Sequence, residues 1–326
     1  MGSMGSMGKE NECWGTMPER LADAKGDAAT AATAVLTQLS EREIARMTSG
    51  SRHWLRELAD GLVGHYNLVP YPAADSLRLG VPGVRFSDGP RGVVVGHATA
   101  FPCSMARGAA FDPDLEARVG DAIGRELTAQ GANFYGGVCV NVLRHPAWGR
   151  AQETYGEDPL LLGGMGAALT RSAGNHAATC VKHFACNSME NSRFRVDVRV
   201  EEADLRDIYL PHFKRCVDEG VDCVMTSYNK VNGEWCGHHR HLIEDILRGE
   251  WGFDGFVMSD FILGIRDIAA ALNGGLDVEM PFSWRGRRLP KALATGEVTA
   301  ETVRTAAFRT LKSMFAACGR VQGLQS

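Results

Sequence analysis

Short apolar runs alternate with longer amphipathic segments along most of this chain. Six runs are predicted to be strands: residues 84–86, 138–143, 179–184, 223–228, 256–259 and 276–280. Most are apolar throughout, which is typical of parallel strands that helices cover on both faces. The alternation predicts an α/β fold, either a doubly wound open sheet or a closed barrel. Short segments at 109–110 and 133–134 are candidates for the strands that a barrel would still need.

The helices between these strands are predicted from their end residues. Asp112-Pro113 and Asp158-Pro159 each place an N-cap residue before a proline in the first turn. Gly131 ends the first of these two helices. Further helices are predicted at 54–63, 201–219, 241–249, 262–272 and 300–317.

Polar residues follow five of the predicted strands, at the point where each strand ends. In a parallel α/β fold the carboxyl ends of the strands meet at one edge, where functional groups collect. A single strand-end polar residue is often only a helix cap, but five together predict one polar site. Its charged and hydroxyl groups are Asp88, Arg150, Lys182, His183, Tyr228 and Asp260.

This mixture of groups suits a neutral ligand with many hydroxyls. Carboxylates accept hydrogen bonds from sugar hydroxyls, and Lys and Arg donate to them. Neighbouring cations also favour the ionised form of an Asp. An ionised, oriented Asp is what attack on an anomeric carbon requires.

Composition and charge narrow the class of protein. The chain has 326 residues and a net charge of −4, which gives no electrostatic reason to bind nucleic acid. No apolar run reaches the length of a membrane span, and the glycine-rich segments match no phosphate-binding pattern. Nine scattered cysteines show no metal-ligand spacing. We therefore expect no metal and no cofactor.

The first residues and the cysteines bear on organisation and location. The start MGSMGSMG is typical of an expression-tag remnant. Residues 1–38 are therefore predicted to be a tag remnant with an N-terminal extension, and residues 39–326 a single domain. Cysteines without a pairing pattern favour thiols in a reducing, cytoplasmic compartment. A signal peptide removed with the native start stays an open alternative.

Five groups of motifs, in order, resemble those of glycoside hydrolase family 3. They are SDGPRG at 87–92, WGRAQETYGEDP at 148–159, KHF at 182–184 with the following NSMENSR, VMTSYNKVNG at 224–233, and GFVMSDF at 255–261 with the following GGLDVEMP. Each motif alone is weakly specific, but together they cover most of the chain. The resemblance implies a (β/α)₈ TIM-type barrel with irregular first strands, which cleaves β-linked sugars with retention.

The resemblance also implies roles for particular residues. Asp260 matches the nucleophile, so the implied activity is β-glucosidase-like hydrolysis of terminal non-reducing β-linked sugars through a covalent glycosyl-Asp260 intermediate. Glu153, Glu157 and Asp158 are interpreted as holding their own loop and capping the next helix. The implied substrate-binding residues are Asp88, Arg150, Lys182, His183, Arg193, Met225 and Tyr228.

The sequence departs from the family pattern in two places. Phe261 stands where β-glucosidase nucleophile strands commonly carry Trp, so the indole N–H donor is lost and the preference for glucose is left open. The second α/β domain, which supplies the general acid in many members, is expected to be absent, and the loop after KHF has no His. Retention needs such an acid near the nucleophile. Glu190 and Glu234 are the candidates within this chain.

Several alternatives stay open for the acid and for the function. The first alternative is that a partner domain or another copy of the chain delivers the acid. The second is that the chain is a fragment of a longer protein. The third is that the substrates carry activated leaving groups, which need little protonation. A first rival function is a sugar-binding barrel or an incomplete catalytic half. A second is a Schiff-base lyase that uses Lys182 with His183, which leaves Arg150 unexplained. The expected ligand is a small-molecule β-glycoside or oligosaccharide.

Overall fold

A six-stranded sheet forms the centre of the molecule. The computed structural model describes residues 13–52 and 67–324, so the helix predicted at 54–63 lies outside the described residues. The strands are β1 Tyr71–Ala73, β2 Val84–Ser87, β3 Phe134–Cys139, β4 Ala178–Phe184, β5 Asp197–Val198, β6 Cys223–Thr226, β7 Lys230–Val231, β8 Glu234–Trp235 and β9 Phe256–Met258. The order in the central sheet is β1-β2-β3-β4-β6-β9, and all neighbours are parallel except β1 and β2. Strands β5, β7 and β8 form a second, small sheet.

Helices follow most of the central strands, as the capping residues predict. The Asp112 side chain accepts from Leu115 N at 2.9 Å, and Asp158 accepts from Leu160 N at 2.9 Å. The helices are α1 Met17–Asp23, α2 Ala28–Leu36, α3 Glu41–Arg46, α4 Ser104–Gly108, α5 Pro113–Ala129, α6 Pro159–Gly174, α7 Pro211–Asp218, α8 His241–Glu250, α9 Ile268–Asn273, α10 Leu289–Thr295 and α11 Ala300–Gln322. Of these, α8 has π-helical hydrogen bonding, and a π-helical turn at Leu205–Tyr209 precedes α7.

Several predicted elements are wrong in detail. The strand predicted at 138–143 is β3, which begins at Phe134 and ends at Cys139, so the segment at 133–134 is the start of the same strand. The helix predicted at 201–219 is divided into a short turn at Glu202–Asp204, the π-helical turn and α7. The segment at 109–110 ends α4 instead of forming a strand, because Ala109 adopts the right-handed helical conformation and caps that helix. The helix predicted at 262–272 begins only at Ile268. Ile262 has a φ of +68°, which no right-handed helix accommodates.

The predicted eight-stranded barrel is confirmed only as an α/β fold with a largely parallel sheet. Among the described residues the regular strands of this sheet number six, and the sheet is open. Strand β1 is antiparallel because the connection to β2 is too short for a parallel crossover. The segment predicted at 276–280 contributes only the bridge Met258↔Val278. There the Asp277 carboxylate accepts from Val257 N at 2.8 Å, a donor that a strand carbonyl would otherwise engage.

Aromatic rings fill the space enclosed by the curved sheet. Phe134 lies between Phe86 and Phe256, with ring centroids 5.7 Å apart on each side. Outside the sheet, α1 and α2 pack on α11, and Trp14 is fully buried there. The domain boundary at residue 39 stays a prediction.

Candidate active site

Asp260 lies just beyond the carboxyl end of β9 and is only 6% exposed. Its Oδ1 accepts from Phe261 N at 2.7 Å. Its Oδ2 has no hydrogen-bond partner among the described residues, and His183 Nε2 lies 3.7 Å from it. Burial raises the pKa of Asp260, while the nearby cations Arg150 and Lys182 oppose that rise. The site therefore holds a buried carboxylate with one oxygen available for a ligand.

Lys182 and Asp88 form an ion pair across the sheet, between β4 and the end of β2. The Lys182 Nζ donates to Asp88 Oδ1; the lysine side chain is buried, whereas Asp88 is 44% exposed. Burial is the largest single influence and lowers the pKa of Lys182, but Asp88 together with Glu153 and Cys139 raises it, so the pKa is raised overall. The pair thus presents a permanent ammonium and a partly exposed carboxylate oxygen to the space beside Asp260.

Arg150 is held in place by its own loop. Its Nε and Nη2 donate to the two carboxylate oxygens of Glu153 at 2.9 and 2.6 Å. This bidentate pair agrees with the interpretation of Glu153 as a residue that holds the loop. The positive charge of Arg150 acts to lower the pKa values of Asp260 and His183.

His183 is bound to Asn141, a residue that sequence reasoning did not identify. Asn141 follows β3 inside an apolar run, so no local signal marks it as functional. Its Oδ1 accepts from His183 N at 2.8 Å, and its Nδ2 donates to His183 O at 2.8 Å. Both residues are 1% exposed. Burial, together with the cations Arg150 and Lys182, holds the pKa of His183 well below its ordinary value.

Tyr228 and Arg193 form one wall beside Asp260. The Tyr228 hydroxyl donates to Phe261 O at 2.8 Å, and burial and the Asp260 carboxylate raise the pKa of Tyr228. The Arg193 guanidinium lies 4.8 Å from the centre of the Tyr228 ring and 4.6 Å from that of Phe194. Arg193 therefore joins the site through ring stacking as well as charge.

The two candidate acids lie at the edge of this region. Glu190 accepts from Arg193 Nη1 at 2.8 Å and from Trp148 Nε1 at 3.1 Å. Glu234 lies in β8 with its side chain 50% exposed, 3.9 Å from His239 Nδ1. Both oxygens of Glu190 are engaged as acceptors, an arrangement that suits an anchor of the loop better than a proton donor. Met225 lies in β6, buried and in register with Lys182.

The loop after Asp260 turns sharply at Ile262. Leu263 N donates to Phe261 O at 2.8 Å, which closes a three-residue turn around Ile262. The Phe261 ring packs inward, 4.9 Å from Phe86 and 5.5 Å from Tyr71 between centroids. Phe261 thus serves the aromatic interior, and the exposed side chain next to Asp260 is that of Ile262.

Within residues 13–52 and 67–324, no group of three or more His, Cys, Asp or Glu side chains is arranged to hold a metal ion. No helix in the same ranges combines the length and apolar character of a membrane span.

Comparison with known proteins gives consistent matches. The model of the glycosyl hydrolase family 3 N-terminal domain matches residues 67–313. A beta-glucosidase of Rhizobium radiobacter is 41% identical over 245 residues, which are 72% of this chain and 30% of that protein. A probable beta-glucosidase I of Aspergillus oryzae is 37% identical over 273 residues, 81% of this chain and 30% of that protein.

Solved structures extend the likeness to the fold. Beta-glucosidase 3B from Thermotoga neapolitana in complex with alpha-D-glucose superposes with a TM-score of 0.81 and 28% identity. The match covers 90% of this chain and 44% of that structure. The chain spans about 30% of the length of the two curated relatives above.

Proposed function

This chain belongs to glycosyl hydrolase family 3, and on that premise we propose that it carries the nucleophile and sugar-binding groups of a retaining β-glycosidase. The substrates are terminal non-reducing β-linked sugars, as in a β-glucosidase. The observation that carries the proposal is the buried Asp260, whose Oδ2 is unbonded within the described ranges and lies beside Lys182, Arg150 and His183. The named activity of the relatives supports the substrate class.

The proposed reaction proceeds in two displacements. Asp260 Oδ2 forms a bond to the anomeric carbon while the bond from that carbon to the leaving oxygen breaks, and an acid gives the leaving oxygen a proton. Water then attacks the same carbon, the bond to Oδ2 breaks, and the proton of the water passes to the group that acted as acid. Two inversions give net retention. Asp88, Arg150, Lys182, His183, Arg193, Met225 and Tyr228 are proposed to contact the sugar.

We also propose that the six strands of the sheet and two further extended segments together form a (β/α)₈-type barrel. Support comes from two extended segments between its edge strands. Val278 bridges β9, Glu279 bridges Ser49, and Gly50 bridges β1. Six strands and the two bridged segments make eight, the number of strands in a (β/α)₈ barrel. In such a barrel the carboxyl ends of all strands surround one site.

The general acid is proposed to come from outside the described residues, from a further domain or a second chain. The chain spans about 30% of its relatives' length. Glu190 is committed to Arg193 and Trp148, and Glu234 is half exposed in a hairpin. A sugar-binding or incomplete catalytic half is therefore the second candidate function. We propose a cytoplasmic location, which is supported by the free thiols of Cys180 and Cys223 on the neighbouring strands β4 and β6.

A Schiff-base lyase fits the site poorly. A Schiff-base lysine must be a neutral amine when it attacks. Asp88 holds Lys182 as an ammonium and raises its pKa. The ion pair instead suits hydrogen bonds to sugar hydroxyls.

Covalent labelling tests the proposal. The chain is incubated with an activated 2-fluoro-β-glucoside, digested, and examined by peptide mass spectrometry. We expect the fluorosugar on the peptide that contains Asp260 and no label in Asp260→Ala. Borohydride trapping of a carbonyl compound on Lys182, with Asp260 unlabelled, would favour the lyase. Binding of glucose without labelling would favour the sugar-binding half.

A further inference from the structure

The amide of Asn141 is bound to the main chain of His183 on both sides. It accepts from His183 N and donates to His183 O, each at 2.8 Å. A peptide N–H can only donate and a peptide carbonyl can only accept. These two contacts therefore identify which end of the Asn141 amide is oxygen and which is nitrogen, an assignment that side-chain shape alone does not give.

The same oxygen also faces the ring of His183. Asn141 Oδ1 lies 3.1 Å from His183 Nδ1. Because Oδ1 has no hydrogen to give, the hydrogen of this contact belongs to Nδ1. Burial and the surrounding cations Arg150, Lys182 and Arg193 lower the pKa of His183 and keep the ring neutral. A neutral ring with its hydrogen on Nδ1 carries a lone pair on Nε2.

This lone pair points toward the reacting centre. His183 Nε2 lies 3.7 Å from Asp260 Oδ2, which is too far for a hydrogen bond. The Asp260 carboxylate therefore gives no hydrogen bond that would favour a hydrogen on Nε2. His183 Nε2 and Asp260 Oδ2 are then both acceptors that do not bond to each other, so each can accept a hydrogen bond from a ligand.

We infer that Asn141 is a positioning residue, which fixes the His183 tautomer so that Nε2 accepts a hydrogen bond from a sugar hydroxyl. The inference rests on the proposed function for the identity of the ligand, but the tautomer itself does not. It assigns His183 the role of acceptor, in contrast to the donors Lys182 and Arg150. The sugar hydroxyl at this position must keep its hydrogen, so a fluorine or a methyl ether there cannot substitute for it.

Nitrogen NMR of the chain labelled with ¹⁵N-histidine tests the tautomer directly. The His183 signals are assigned by their loss in His183→Gln. We expect Nδ1 to show the shift of a protonated ring nitrogen and Nε2 that of an unprotonated one, with no change across neutral pH. A protonated Nε2, or a doubly protonated ring, would overturn the inference. This measurement needs no catalytic activity, so its outcome is separate from that of the labelling test.

Two variants of Asn141 distinguish positioning from a purely structural role. In Asn141→Asp, we expect the Nδ1–H form to persist and the His183 pKa to rise, because a carboxylate now faces the ring. In Asn141→Leu, we expect the Nε2–H form to become populated. A native tautomer in a folded Asn141→Leu variant would contradict the inference.

Asn133 supplies the matched control at the other end of β3. It is buried like Asn141, but its amide bonds only to main chain, accepting from Arg85 N at 2.7 Å and donating to Gly83 O at 3.0 Å. Asn133→Asp should lower stability without changing the His183 ring signals. Equal changes in the Asn133 and Asn141 variants would show that the signals follow general destabilisation.

Substituted sugars test the acceptor role. Glucosides that are deoxy or deoxyfluoro at each hydroxyl in turn are compared as ligands of the chain. At the position that meets His183, we expect the deoxy and deoxyfluoro compounds to lose affinity equally, on the order of 10-fold, because fluorine accepts but cannot donate. Retained affinity of the fluoro compound at every position would mean that no hydroxyl donates to Nε2.

Discussion

Two aspartates at opposite ends of the same sheet show how position decides the use of a carboxylate. Asp222 directly precedes β6 and Asp260 follows β9, and both are 6% exposed. Asp222 accepts from Arg320 at 3.1 and 2.8 Å and from Thr179 N at 2.8 Å, so both oxygens are bonded. Asp260 has one bonded oxygen, and the other lies 3.7 Å from Nε2 of the neutral His183 ring.

The difference follows from what a buried charge requires. Removing a carboxylate from water is unfavourable unless hydrogen bonds and an opposite charge compensate. At the amino ends of the strands the chain supplies that compensation to Asp222. At the carboxyl ends it supplies only part of it to Asp260. A ligand that donates hydrogen bonds or forms a covalent bond can complete the set, which is what a preorganised nucleophile needs.

The largest expected effect is the loss of turnover on substitution of Asp260. We expect Asp260→Ala to lower kcat on an aryl β-glucoside on the order of 10⁴-fold or more, because the covalent route is removed. Its free energy of unfolding should be unchanged or higher, since an incompletely compensated buried charge is lost. Added azide should restore turnover and give a glycosyl azide of inverted configuration. Near-normal kcat in the variant would remove Asp260 from the role of nucleophile.

A missing proton donor gives the next largest effect. For this chain alone, we expect alkyl glucosides to react roughly 10²–10⁴-fold more slowly than a positioned acid would allow, whereas aryl glucosides need little protonation. Plotting log kcat/KM against the pKa of the leaving group should therefore give a steep negative slope. Adding the domain or chain that carries the acid should flatten it. A flat slope for the chain alone would show that an acid lies within it, with Glu190 and Glu234 as the first residues to substitute.

The ion pair of Lys182 and Asp88 should matter for both binding and rate. We expect Lys182→Met or Asp88→Asn to reduce kcat/KM by an amount equivalent to roughly 2–3 kcal/mol, as for charge-assisted hydrogen bonds in a desolvated site. Lys182→Met should also move the acid limb of the pH profile to higher pH. The reason is that Lys182 lowers the pKa of Asp260, and without it the carboxylate binds its proton more tightly. An unmoved acid limb would contradict this coupling.

Asp222 provides the opposite pattern. We expect Asp222→Ala to reduce the free energy of unfolding by about 2–3 kcal/mol, because it leaves Thr179 N and the partly buried Arg320 without their acceptor. At a temperature where the variant is folded, kcat should stay within a few-fold of the original. Urea unfolding and glucoside turnover measured on one preparation test both. A large loss of kcat with unchanged stability would reverse the assignment of the two ends.

The sequence predicted the parts of this contrast that depend on local pattern. The caps at Asp112 and Asp158 follow from residues within a few positions of one another. The closeness of Lys182 and Asp260, which are far apart in the chain, follows instead from the rule that parallel strands end at one edge of the sheet. The hydrogen bonds between Asn141 and His183 join residues 42 positions apart, and Asn141 lies in an apolar run that is typical of a strand. No local pattern therefore predicts this contact. The bridging segment at Val278 was expected as a strand, because a single bridge and a strand have the same apolar pattern.

The turn at Ile262 could not be predicted from the sequence for a different reason. Substitutions at this turn are expected to have the smallest effect, a change in stability of the fold. Positive φ is normally marked by Gly or Asn, and here it falls on a β-branched residue two positions after Asp260. Such backbone strain tends to persist at functional sites because the surrounding contacts enforce it. Ile262 is 46% exposed, so its side chain contributes little burial to offset the strain.

Comparing Gly with Ala at position 262 measures how much the positive φ of the backbone costs in stability. With φ at +68°, we expect Ile262→Gly to be more stable than Ile262→Ala by about 1 kcal/mol, since only Gly adopts this conformation without strain. The exposed Arg118 within α5 is the matched control. There, Ala should be more stable than Gly by about 1 kcal/mol, as in any helix interior. Thermal unfolding of the four variants decides the matter by sign alone. If Ala is the more stable residue at both positions, the turn at Ile262 stores no strain.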